Sequence, residues 1–131
     1  PTIGAAKGEL IWLEQPSSGA LAGALWKEHK LASGPDVDFI LSTHARPAGM
    51  NASMPPAVVA AQYFSAPQLT VYSCGGVTWS DCDDGAGVSI MVLDNELGPF
   101  FAVQEADLNS DGTPELLVAN SRDTPTGALL A

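Results

Sequence analysis

Three short stretches of this chain read alike: GELIWLE from Gly8, PQLTVYS from Pro67 and TGALLA from Thr126. Leu10, Leu69 and Leu129 stand at corresponding places, which sets a period of about 60 residues. Two further matches fall between them in the same order. GPDVDFIL from Gly34 matches GPFFAVQE from Gly98, and AVVAAQ from Ala57 matches ELLVAN from Glu115. A chain with this self-similarity builds one supersecondary unit twice and re-enters the pattern near where it began.

The units are β-type. ELIWLE, LWKEHKL, VDFIL, AVVAAQYF, QLTVYS, VSIMVL, FFAVQEA, ELLVAN and GALLA are short runs separated by Pro, Gly, Ser, Asn and Asp. That punctuation belongs to all-β sandwiches, barrels and propellers. The best helix candidate, Ala20 to Lys30, carries Gly23, which costs about 1 kcal/mol in a helix relative to Ala. Its first part therefore reads as a loop and its second part, from Leu25, as strand. Each repeat then holds about four strands, as a propeller blade does. The expected fold is all-β: two β-propeller-type blades of about four antiparallel strands each, as part of a larger or oligomeric propeller. Residues 1–131 make a single domain of two repeats, with a degenerate first blade over about 8–66 and a second over 67–131. Two blades cannot close a ring that takes about four to eight. The chain is expected to be a piece of a larger protein or to assemble, three copies giving about six blades.

Fifteen acidic residues face five basic ones, a formal charge of −10. Phosphate binding needs clustered Lys and Arg, so nucleic acid and anionic membrane surfaces are poor partners. No apolar run approaches the roughly 20 residues of a membrane span. Cys74 and Cys82 flank a loop-like GGVTWSD and are expected to pair in an oxidising compartment. Asn51-Ala52-Ser53 is an N-glycosylation sequon. Together these point to a secreted protein, and Pro1-Thr2-Ile3-Gly4 reads as a mature or clipped end.

The stretch ADLNSDGTPELLVAN carries the most specific chemistry. Asp107, Asn109 and Asp111 alternate oxygen-bearing side chains, Gly112 permits a sharp turn, the Thr113 carbonyl offers a fourth oxygen and Glu115 a fifth. Ca²⁺ takes six to eight such oxygens. An EF-hand would need a bidentate Glu where Val118 stands, so the loop is a hairpin that runs straight into a strand. An ion there neutralises carboxylates that otherwise repel one another.

DLNSDGTPELLVAN resembles the calcium loop of the FG-GAP (VCBS) repeat family, and GELIWLEQP, WKEHKLASGPDVDF and QYFSAPQLTVY resemble repeats of its secreted fungal members. The resemblance spans nearly the whole chain. It implies β-propeller blades and Asp107, Asn109, Asp111, Thr113 (through its carbonyl) and Glu115 as the calcium ligands. Glu115 departs from the aspartate more usual there. The first repeat departs further: Ser42 to Ala57 has no acid, so it is not expected to bind calcium. Arg46 or His44 in the cation's place is one reading of that loop, and a plain solvent loop is the other. The acids Asp81, Asp83 and Asp84 are expected at a solvated hairpin tip.

No GxSxG, HExxH or phosphate-binding glycine loop occurs; His29 reads as a surface histidine in a strand, His44 lies in an irregular loop, and neither has a partner evident in sequence. The chain is not expected to be an enzyme. A carbohydrate-binding, lectin-like module is expected, with Trp79 as its exposed aromatic and Trp12, Tyr63 and Tyr72 assigned to the core. The alternatives are an adhesion or scaffold module for extracellular proteins, or a fragment of a larger propeller-bearing enzyme.

Overall fold

AVVAAQ is apolar almost without alternation, and QLTVYS carries the apolar neighbours Val71 and Tyr72 on opposite faces, as a strand buried on both faces requires. In the computed structural model, which describes residues 8–34, 39–42, 53–63 and 67–121, these two runs form the centre of the molecule. Eight strands follow in order: β1 (Gly8–Glu14), β2 (Lys27–Gly34), β3 (Phe39–Ser42), β4 (Val58–Gln62), β5 (Gln68–Cys74), β6 (Val88–Asp94), β7 (Phe100–Ala106) and β8 (Glu115–Asn120). A 3-10 segment, Trp79–Gly85, lies between β5 and β6. Ala20 to Trp26 is loop, and strand begins only at Lys27.

The fold is all-β, with three antiparallel sheets: β1-β2, β3-β4-β5-β6 and β7-β8. The predicted strands from ELIWLE to ELLVAN are present among the described residues, but they do not group into two sheets of four. The four-stranded sheet takes β3 and β4 from the first repeat and β5 and β6 from the second. Residues 122–131, including the TGALLA match, lie outside the described residues.

The sheets stack as three layers with the four-stranded one in the middle. On one side Ala60 and Tyr72 pack with Leu10 and Leu31 of the β1-β2 sheet, with Trp12 and Val58 against them. On the other, Ala57, Val59, Ala61, Leu69 and Val71 pack with Phe100 and Val118 of the β7-β8 sheet, with Leu116 and Val103 against them. The two interfaces are the same interface used twice. Leu10 and Trp12 correspond to Leu69 and Val71 in the sequence repeat, and Val58 and Ala60 correspond to Leu116 and Val118. The first set meets in one cluster and the second in the other.

Backbone irregularity repeats as well. The β1-β2 pairing slips between Leu10 and Ile11, skipping Leu31, and the β5-β6 pairing slips between Leu69 and Thr70, skipping Leu93. Bulges at matching positions are designed features of a repeat, because they aim the same side chain at the same layer. One match needs adjusting. Phe39 pairs with Ala61 and Ala102 with Ala119, so the register equates Phe39 with Ala102, one residue from the Gly34–Gly98 alignment. A glycine–proline pair marks the turn ahead of a strand and does not set the strand's register.

Leu69 is 3% exposed between two layers, whereas Leu21 is fully exposed in the β1–β2 connection. Leu69→Ala is expected to cost about 2–5 kcal/mol through lost burial and a cavity. Leu21→Ala should stay within about 0.5 kcal/mol. Urea unfolding of the two variants checks both values.

Candidate functional site: an acidic hairpin loop and a disulfide-linked loop

β7 ends at Ala106 and β8 begins at Glu115, so Asp107 to Pro114 must reverse the chain in a tight arc. Ser110 at φ 62° and Gly112 at φ 87° supply the left-handed steps. A Cβ on Gly112 would meet nothing within 4 Å, so glycine is needed there for its backbone freedom rather than for space.

Four of the predicted side chains converge. Asp107 accepts the Asp111 N–H at 3.2 Å and the Gly112 N–H at 2.9 Å, one on each oxygen. Asn109 Oδ1 accepts the Asp111 N–H at 2.9 Å. Its Nδ2 donates to Asp111 at 3.0 Å and to Glu115 at 3.1 Å, and so bridges two carboxylates. The other Glu115 oxygen accepts the Leu108 N–H at 2.7 Å. Thr113 joins through its backbone N–H, which donates to Asp111 at 2.7 Å. The Thr113 N–H, and then the Asn109 amide, hold the Asp111 carboxyl below the usual carboxylate range. Apart from the bridging amide nitrogen, the side-chain donor set is all oxygen, the kind a hard cation takes. Among the described residues, no three His, Cys, Asp or Glu side chains stand in a metal-holding group. The carboxylates here are turned onto N–H donors instead.

The second loop follows β5. Cys74 and Cys82 are joined in a disulfide across a separation of eight residues, as the sequence predicts. A closure of that length contributes about 2–3 kcal/mol in the chain-entropy account. Asp81 and Asp84 are exposed, as a solvated tip has them, and Asp83 is half-buried. Asp81 Oδ2 accepts the N–H groups of Val77 and Thr78 at 2.9 and 2.8 Å, and the Thr78 hydroxyl at 3.1 Å. Gly76 lies so close to Asp81 that a Cβ there would collide with it.

Asp83 reaches back to β2. His29, read from sequence as a surface residue, is 1% exposed. Its Nε2 lies 2.8 Å from Glu14 Oε2, and its Nδ1 lies 3.0 Å from Asp83 Oδ1. The first contact is an aligned hydrogen bond. The second is at ion-pair distance without hydrogen-bond alignment, which leaves Nδ1 without a hydrogen-bonding partner in the protein. The ring stacks on Trp12 with centroids 4.1 Å apart and planes 6° from parallel. The arrangement follows from the β1-β2 register, which sets Trp12 opposite His29, and no local motif announces it.

Trp79 is not an exposed platform. It is half-buried, packs against the Leu10–Tyr72 cluster, and its Nε1 donates to the Pro56 carbonyl at 3.1 Å. Tyr72 is buried at 5%, Trp12 is half-buried on the same cluster, and Trp26 is the exposed tryptophan at 42%. The Asn51 sequon and His44 and Arg46 lie outside the described residues. The chain matches no protein-family model, no curated protein and no solved structure.

The His29 ring and then Lys27 hold the Asp83 carboxyl below its ordinary range, and Thr78 does the same for Asp81. Both groups bind protons more weakly folded than unfolded. Their contribution is full above the ordinary carboxylate range and is lost as the pH falls through it. Urea midpoints should therefore decline as the pH drops from about 5 toward 2. Asp83→Asn should show a shallower decline than the parent, and an unchanged slope would remove Asp83 from the account.

Proposed function

We propose that the chain is a pair of propeller-type repeats, the second stapled by Ca²⁺, that serves as a non-catalytic carbohydrate-binding module outside the cell. The observation that carries this reading is the convergence of Asp107, Asn109, Asp111 and Glu115 in the β7–β8 hairpin, set in a layer that repeats the one before it. In this proposal those four side chains and the Thr113 carbonyl hold the ion. Its charge takes over from the Asn109 amide the task of quieting Asp111 and Glu115. The role is structural, because the loop joins neighbouring strands β7 and β8.

For the sugar, stacking on an aromatic face is the general requirement. Trp26, the residue before β2, is the exposed indole that fits it, with Lys27 next in sequence and Asp83 3.9 Å from the Lys27 ammonium for hydroxyl contacts. Trp79, committed to the core and to Pro56, is the less suitable of the two. A protein-binding role is favoured by a different observation. Ile90 and Val92 on β6 are 58% and 47% exposed, more apolar surface than one strand normally leaves in water.

Calcium at a hundredfold excess over its dissociation constant would add about 2.7 kcal/mol. Chelation should therefore lower the melting temperature by several degrees, and Asp111→Asn should abolish that response. An identical melting curve in excess chelator would refute the calcium assignment. On a glycan array, binding is expected to be lost in Trp26→Ala at unchanged stability. No binding by the parent protein, with a defined protein ligand captured through Ile90 and Val92, would favour the protein-binding role.

A further inference from the structure

The middle sheet joins the second half of one repeat to the first half of the next, in the order β3-β4-β5-β6. The outer sheets are the two halves left over. β7-β8 matches β3-β4, and β1-β2 matches β5-β6. Among the described residues, β8 has no strand on the edge where β4 has β5, and β1 has none on the edge where β5 has β4.

Apolar residues are exposed where these halves would be completed. Ile11 and Leu13 are 37% and 51% exposed, yet their repeat partners Thr70 and Tyr72 are 0% and 5%. Leu31, the residue skipped at the β1-β2 bulge, is 3% exposed, and its counterpart Leu93 is 42% exposed. The difference has one cause. Leu31 and Leu10 are covered by Tyr72. Leu93, at 42% exposure, has no residue in the position of Tyr72, and the repeat partner of Tyr72 is Leu13.

We propose that the open edge of β8 receives β1 of a second copy of this chain, so that β7-β8 of one copy and β1-β2 of the next form a four-stranded sheet ordered like β3-β4-β5-β6. The proposal rests on the repeat reading above and is independent of calcium and of sugar. The β4-β5 register carries over directly. Val58↔Tyr72 becomes Leu116 opposite Leu13, Ala60↔Thr70 becomes Val118 opposite Ile11, and Gln62↔Gln68 becomes Asn120 opposite Glu9. Leu13 of the second copy then covers Leu93 as Tyr72 covers Leu31. A second copy completes both open edges and both exposed pairs at once. The chain's own TGALLA segment, if it took the β8 edge, would leave Ile11, Leu13 and the β1 edge uncovered. The contact is head to tail, so it closes a ring when the rotation allows. About four to eight sheets in a ring means about two to four copies. Each copy carries −10, so association should strengthen with salt.

Native mass spectrometry and light scattering of the 131-residue chain, in salt, should give about two to four chain masses. The double variant Leu13→Cys/Leu116→Cys should form a 13–116 disulfide under mild oxidation. The middle sheet lies between those positions within one chain, so the link must join two copies. Leu13→Cys/Asn120→Cys, out of register, should not link. Leu13→Asp should reduce the mass to one chain while the circular dichroism spectrum stays that of the parent, since Leu13 is an exposed residue of the single chain. A parent mass of one chain, as occupation of the edge by TGALLA would also give, overturns the proposal. So does an oligomer that forms no 13–116 link. Neither result bears on the calcium melt or the glycan array, so this proposal can fail while that reading stands.

Discussion

Burial of both faces of β4 and β5 is the constraint on which the rest of the structure depends. Two-stranded hairpins are at best marginal alone in water, and the β1-β2 and β7-β8 sheets are each only that. They persist because each lays an apolar stripe on one face of the middle sheet. Ala57, Ala60 and Ala61 are completely buried, and their small side chains let the outer layers approach closely. Leu10 and Leu69 then fill equivalent positions on the two sides. Anything that loosened the middle sheet would release both outer sheets together.

Charge is managed locally. With fifteen acids and five bases, the chain cannot pair each carboxylate with a cation. It turns several onto backbone N–H groups instead. Asp94 caps the turn after β6 by accepting from Glu96 and Leu97 at 2.9 and 2.8 Å. Asp81 orders the entry to the 3-10 segment, and Asp107, Asp111 and Glu115 order the β7–β8 hairpin. Each carboxylate thereby satisfies donors that a tight turn would otherwise leave unpaired. His29 is the exception. It is a buried ring held between two carboxylates on different elements, and it ties the β1-β2 hairpin to the disulfide loop.

Much of this is legible in the sequence. The spacing of Leu10, Leu69 and Leu129 announces the repeat, the apolar runs mark the strands, and Cys74 and Cys82 are near enough in sequence to close one loop. The convergence of Asp107, Asn109, Asp111 and Glu115 was readable because alternate residues in a tight turn point inward together. Trp79 and His29 were misjudged for one reason. A residue in a polar stretch looks exposed until a strand distant in sequence is laid over it, as Pro56 is brought to Trp79 and Glu14 to His29.

The sequence by itself determined the strand content, the acidic hairpin and the disulfide, because each is set by residues within a few positions of one another, and it determined the period because like segments recur along the chain. Only the tertiary structure decided which strands share a sheet. Hydrogen bonding along a strand edge is indifferent to the repeat it came from, so the four-stranded sheet formed across the boundary between repeats, where two apolar faces could both be covered. Among the described residues, the same decision left half a sheet at each end, with Ile11 and Leu13 exposed on one and an unpaired edge of β8 on the other.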